Sequence, residues 1–181
     1  MPPMNKRERI SDFMRSLDPA PSEGSSQDYY AAYFQLWNAQ KYYEAHDALE
    51  QLWLVEKNME LARFYKALIQ AAGAFVHLQK NFEQPSHPKH SRRLRPATRL
   101  FALALGNLEG LPDKFQQLDL LSLRKLLAGT RAQIVAGDFQ SNPWSPERAP
   151  KLSVALAEIS RSPRDSSVRS AKWRRMKLPG K

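Results

Sequence analysis

Residues 59–80, MELARFYKALIQAAGAFVHLQK, contain the pattern that decides the fold. Apolar side chains recur there at the three- and four-residue spacing of a helix, among them Phe64, Leu68 and Phe75. Asn58 stands immediately before the stretch, at a position where an Asn side chain commonly caps a helix. Because apolar residues cover well over half of the circumference, we predict a central helix with neighbours on several sides.

Two shorter helical patterns precede this central helix and two follow it. We predict helices over residues 29–40, 42–56, 95–108 and 120–135, separated after the central helix by a loop at 81–93 and a turn at 109–119. The short polar joint between the first two helices implies antiparallel neighbours. Since no alternating β pattern is present, the sequence predicts an all-α fold, a single helical bundle of about five helices.

The segments on either side of the bundle differ from it in composition. We assign the bundle to residues 28–140, after a flexible leader at 1–27 whose last part is rich in Pro, Ser and Gly. Residues 141–181 contain several prolines and many basic side chains, and we expect a flexible, mostly disordered extension there. The chain of 181 residues is long enough for one domain-sized core.

Composition excludes several classes of site. The sequence has no Cys, so disulfides, thiolate metal sites and a Cys nucleophile are absent. It has no apolar run of about 18 residues, so no membrane span is expected, and we predict a cytoplasmic protein. Only seven Gly are present, without a Gly-rich phosphate loop, which argues against a Rossmann or Walker nucleotide site.

The net charge of +10 is concentrated near the C-terminus. Residues 161–181 contain eight Lys or Arg and one Asp, and a second cluster of five cationic side chains lies at 87–99. Such segments can attract nucleic acid or an anionic membrane surface through non-specific electrostatics, and they can equally serve as solubilising tails. The candidate nucleic-acid or anion contacts in the tail are Arg169, Lys172, Trp173, Arg174, Arg175 and Lys177.

The second predicted helix has an unusual number of polar side chains in its sequence, YYEAHDALEQLWL at 42–54. At 100° per residue, His46, Glu50 and Trp53 fall on one stripe of an otherwise apolar face, whereas Glu44 points to the opposite side. Asp47 is intermediate and is not assigned to either face. A His and a Glu at i and i+4 either share a hydrogen bond or bind one metal ion together.

The central helix adds Gln70 and His77, which lie two helical turns apart on a polar stripe. If this stripe faces the second helix, His46, Glu50, Gln70 and His77 converge in one pocket with Trp53 as a wall. We consider an interaction or small-ligand-binding module first, and a metal-dependent or acid–base enzyme second. A divalent metal held by His46, Glu50 and His77 is the cofactor hypothesis, a protein partner and nucleic acid are the partner hypotheses, and a purely structural polar pair is the simplest alternative.

Three ordered sequence blocks resemble the helical family catalogued as domain of unknown function 309. They are YYEAHDALEQLWL, KALIQAAGAFVHLQKN and LPDKFQQLDLLSLRKLLAGT, and together they extend over about 30–134. The resemblance implies a small all-helical bundle of bacteria, archaea and plastid lineages, with no established activity or cofactor. It therefore adds a plastid as the alternative location to the cytoplasm if the chain is eukaryotic. Asp47 departs from the family pattern, in which Glu is commoner at this position.

Overall fold

The computed structural model describes residues 26–154, most of which are helical. The helices are α1 (Ser26–Asn38), α2 (Tyr42–Trp53), α3 (Met59–Glu83), α4 (Leu94–Leu108) and α5 (Leu120–Ala136). A small hairpin of β1 (Lys114–Phe115) and β2 (Leu118–Asp119) precedes α5, and a 3-10 turn follows at Pro146–Arg148. The predicted mostly helical fold with five helices is confirmed. None of the described helices has the length and apolar character needed to cross a membrane.

Local capping explains several helix limits. The Asn58 side chain accepts hydrogen bonds from the backbone N–H groups of Glu60 and Leu61, both at 3.0 Å, so α3 begins where an Asn cap predicts. Asp119 caps α5 in the same way, through the N–H of Ser122 at 2.9 Å. These side chains satisfy donors that the first turn of a helix leaves without a partner.

The central position of α3 follows from its apolar circumference, because it packs against both α2 and α4. Aromatic rings form the middle of the core, where Trp37 lies 4.8 Å from Phe75 and 5.2 Å from Tyr42 between ring centroids. On the α4 side, a Cβ at Gly73 would lie 3.3 Å from Leu100 Cδ1. Gly73 thus permits a close approach of α3 and α4 that offsets the low helix propensity of glycine.

The hairpin in the 109–119 turn has no clear signal in the sequence. Its turn residues Gln116 and Gln117 have φ angles of 48° and 61°, a conformation that such turns usually reach with Asn or Gly. The turn is also held from α5, where Arg124 donates to Asp113 Oδ1 at 3.0 Å and to the Leu108 carbonyl at 2.9 Å. Tertiary contacts therefore stabilise a hairpin that local propensity does not favour.

Residues 141–154 pack on the helices, although the sequence analysis ended the folded domain at 140. Trp144 and Leu152 are 3% and 8% exposed, and Trp37 Nε1 donates to the Pro150 carbonyl at 2.9 Å. Asn142 Nδ2 donates to the Leu78 carbonyl at 2.8 Å. This segment, the strap at 141–154, contains prolines and is held by hydrogen bonds between side chains and the backbone. It therefore has no periodic pattern from which its packing could be predicted. The predicted leader, up to residue 25, and the tail from 155 onward lie outside the described residues.

Candidate functional site

Helix α2 buries one face in the core and presents its polar residues beside that face. Tyr42, Ala45, Leu49 and Leu52 are buried, and they recur at the spacing of one helical stripe. His46, Glu50 and Trp53 are half-buried at the edge of this stripe, and Glu44 is exposed as predicted. The amphipathic pattern of α2 therefore brings an imidazole and a carboxylate to the boundary between core and solvent.

Asp47 joins these two residues and completes a cluster. One ligand atom each from His46, Asp47 and Glu50 can be chosen so that all three lie within 4.8 Å of one another. His46 Nδ1 is 3.1 Å from Asp47 Oδ1. Asp47 and Glu50 also interact with further groups of the chain.

The burial of Asp47 is the main feature that the sequence analysis missed. Its residue exposure is 3%, although it lies two positions from both Ala45 and Leu49 and hence on the opposite side of α2 from them. A carboxylate removed from water needs hydrogen-bond or ionic partners. Helix periodicity does not predict that Asp47 is buried and must therefore have such partners. The available signal in the sequence was an acidic residue directly after His46.

Gln70 and His77 have hydrogen-bond partners at the α3–α4 contact. Asn107 Nδ2 of α4 donates to Gln70 Oε1 at 2.8 Å, and Arg93 Nη1 donates to His77 Nδ1 at 2.9 Å. An arginine has only donors, so His77 accepts through an unprotonated nitrogen. Burial, followed by the positive charges of Arg93 and Lys80, lowers the pKa of His77 to about 4.

The hydrogen bonds connect the pocket candidates to two different sets of partners. His46 and Glu50 cluster with Asp47 on α2, whereas Gln70 and His77 bond to α4 and to the residue before it. Among the described residues, the group of His, Asp and Glu side chains close enough to share an ion consists of His46, Asp47 and Glu50, whereas the sequence predicts His77 as the third ligand. The cause is the orientation of the polar stripe of α3, which meets α4.

Comparison with known proteins shows that part of this chain is similar to a known protein family. Residues 30–86 match the model of DUF309, a domain of unknown function. This match confirms the resemblance for the first two sequence blocks and ends near the C-terminus of α3, before the third block begins. An uncharacterized protein of Aquifex aeolicus (strain VF5) is 29% identical over 91 residues, which are 50% of this chain. The aligned part spans only 24% of that relative's length.

The DUF309 match includes α2 and α3 and therefore all five pocket candidates, His46, Glu50, Trp53, Gln70 and His77. Trp53 is half-buried and packs against the core, which is compatible with either a structural role or a wall beside Glu50. The nucleic-acid candidates between Arg169 and Lys177 lie outside both the match and the described residues. Nucleic-acid binding through the tail thus stays a prediction.

Proposed function

We propose that this domain is a small-ligand-binding module whose ligand is a divalent metal ion bound by His46, Asp47 and Glu50. The observation that carries the proposal is the presence of three ligand atoms within 4.8 Å of one another. Two ligands of a tetrahedral zinc ion, each about 2.1 Å from the metal, are about 3.4 Å apart. The 3.1 Å separation of His46 Nδ1 and Asp47 Oδ1 is close to that spacing.

The donor set favours particular metals. One imidazole nitrogen and two carboxylate oxygens suit zinc, manganese, iron or cobalt, while magnesium and calcium prefer sites made of oxygen alone. Soft-metal binding through thiolates is excluded because the chain has no Cys. Metal ions compete with protons for imidazole and carboxylate ligands, so the affinity should fall as the pH is lowered.

A metal held by three side chains retains coordination positions for water, which is the arrangement that catalytic zinc sites use. This supports the metal-dependent enzyme as the second candidate function. A structural role is the competing explanation, because Asp47 and Glu50 already interact with other groups of the chain. A metal ion binds only if its ligation is stronger than those interactions.

Metal titration of the full-length chain tests the proposal. The protein is treated with a chelator, and Zn²⁺, Mn²⁺ and Co²⁺ are added in separate calorimetric titrations, with the absorption spectrum of bound Co²⁺ as a second measurement of coordination. We expect one ion per chain, loss of binding in His46→Ala and weaker binding in Glu50→Gln. Circular dichroism of each variant shows whether α2 remains folded.

His87→Ala is the matched control. His87 is an exposed histidine whose ring lies 4.2 Å from that of His90, so this pair is a second place where added metal can bind adventitiously. The variant should bind metal as the wild type does. Absence of stoichiometric binding by all three metals, or wild-type binding in a folded His46→Ala protein, would refute the proposal.

A further inference from the structure

A cavity of about 400 Å³ lies between the start of α4 and the segment that follows α5. Its volume is within the range of small-molecule sites. The residues that line it are Ser91, Arg92, Leu94, Arg95, Phe139 and Gln140. Four of them, the two arginines with Ser91 and Gln140, are exposed, while Leu94 and Phe139 provide an apolar part. The cavity therefore combines hydrogen-bond donors with an apolar wall.

The charge of the lining is positive. Arg92 and Arg95 are its charged residues, and no carboxylate is among the six side chains. The nearest carboxylate in the sequence, that of Asp138, does not line the cavity. Neither arginine forms an ion pair with any residue of the described range 26–154. An anionic group would thus find two guanidinium groups without a competing carboxylate.

Phe139 fixes one of these guanidinium groups in place. The Arg95 Cζ atom lies 4.1 Å from the centre of the Phe139 ring, in a cation–π contact. A guanidinium stacked on a ring keeps its N–H groups in its own plane, where they remain able to bind an anion in a fork. Asp138 and Phe139 have φ angles of 46° and 59°, and the Phe139 N–H donates to the Ile134 carbonyl at 2.9 Å. This left-handed backbone after α5 brings the ring to Arg95.

The beginning of α4 lacks the groups that normally stabilise a helix N-terminus. The Arg93 N-cap makes no side-chain capping bond, and the first turn contains no acidic residue. Cations are unfavourable there because the helix dipole is positive at this end, whereas a bound anion is favoured.

We propose that this cavity is a binding site for a small phosphate-bearing molecule. Arg92 and Arg95 bind the phosphate oxygens, Ser91 and Gln140 donate further hydrogen bonds, and Phe139 with Leu94 contacts the remainder of the ligand. The site is distinct from the metal cluster on α2 and uses no Gly-rich loop. The shared chemistry is a phosphate group, which inorganic phosphate, a sugar phosphate or a nucleoside monophosphate can supply.

Calorimetric titration of the full-length protein at fixed ionic strength tests this site. The probes are inorganic phosphate, ribose 5-phosphate and adenosine monophosphate. We expect saturable binding of at least one probe, with tighter binding of adenosine monophosphate if Phe139 and Leu94 contact the base. Arg95→Gln and Arg92→Gln should each weaken binding about tenfold or more, because a charged hydrogen-bond donor is lost.

Arg99→Gln is the matched control. Arg99 is exposed one helical turn further along α4 and does not line the cavity, so its variant should bind the probe within about twofold of wild type. Absence of saturable binding by all three probes would overturn the proposal. Equal weakening by Arg95→Gln and Arg99→Gln would also overturn it, because that result indicates diffuse attraction. In a fourth titration with a single-stranded RNA, binding of the RNA alone that both variants weaken equally would assign the surface to polyanions and overturn the proposal.

Discussion

Trp144→Ala is the most direct test of whether residues 141–154 belong to the folded core. Trp144 is 3% exposed, and its Nε1 donates to the Tyr42 hydroxyl at 3.2 Å. Its ring centroid lies 5.4 Å from that of Phe82 and 6.3 Å from that of Tyr42. The side chain thus connects the strap after α5 to both α2 and the end of α3.

The expected loss follows from this burial. A buried tryptophan removes about 150–250 Å² from water, which at about 25 cal/mol per Å² corresponds to about 4–6 kcal/mol. Measured truncations of large aromatic side chains to Ala cost about 3–5 kcal/mol, so we expect a loss in this range. For a chain of this size each kcal/mol lowers the melting temperature by about 2–4 °C. The transition should therefore move by about 6–20 °C.

Urea unfolding followed by far-ultraviolet circular dichroism measures this loss without depending on tryptophan fluorescence. Tyr42→Phe gives a second value, because it leaves the Trp144 N–H buried without its acceptor and should cost about 1–3 kcal/mol. Leu103→Ala is the control, since Leu103 is 54% exposed and its truncation should change the unfolding free energy by less than about 0.5 kcal/mol. A loss below about 1 kcal/mol for Trp144→Ala, with an unchanged denaturant slope, would show that residues 141–154 do not belong to the folded core.

Three further predictions concern α3 and the turn before α5. His77 has a folded pKa of about 4, below the ordinary value of 6.5, so between these values the unfolded chain binds more protons and stability is lost as the pH falls. His77→Gln should reduce this slope by at most about 1.4 kcal/mol per pH unit in urea titrations, and an unchanged slope would contradict the low pKa. Asn58→Ala should cost about 1 kcal/mol by the same unfolding assay, and wild-type stability would show that the cap of α3 is unimportant. Arg124→Ala should cost about 1–3 kcal/mol, because two backbone carbonyls and Asp113 lose their donor, and amide exchange in the 109–119 turn should accelerate. Unchanged exchange would exclude Arg124 as the residue that holds the turn.

Much of the fold could be predicted because its signals are local. The apolar spacing of residues 59–80 and the Asn58 cap predict α3, and Gly137 marks the end of α5 as expected. The hairpin could not be predicted, because Gln116 and Gln117 adopt positive φ without the residue types that favour it. The strap at 141–154 was missed for a related reason, since extended segments held by side-chain bonds leave no periodic pattern.

The contacts of the candidate site residues depend partly on local helix geometry and partly on tertiary packing. Helix periodicity correctly associates His46 with Glu50 at the edge of the core, because both positions depend only on α2. Whether Gln70 and His77 join this pair depends on how α3 is rotated about its axis relative to α2. Helix periodicity contains no information about that rotation. In the structure those two side chains bond to Asn107 and Arg93.

The sequence by itself determined the five helices, the resemblance to DUF309 and the polar edge of α2, because each depends on residues close together in the chain. The tertiary structure alone decided the burial of Asp47, the partners of His77 and the position of Trp144. Trp144 and its acceptor on Tyr42 are 102 residues apart. Such contacts depend on how whole helices and loops pack against one another. That packing is determined by the fit between surfaces that are distant in the sequence, so a local sequence pattern does not predict it.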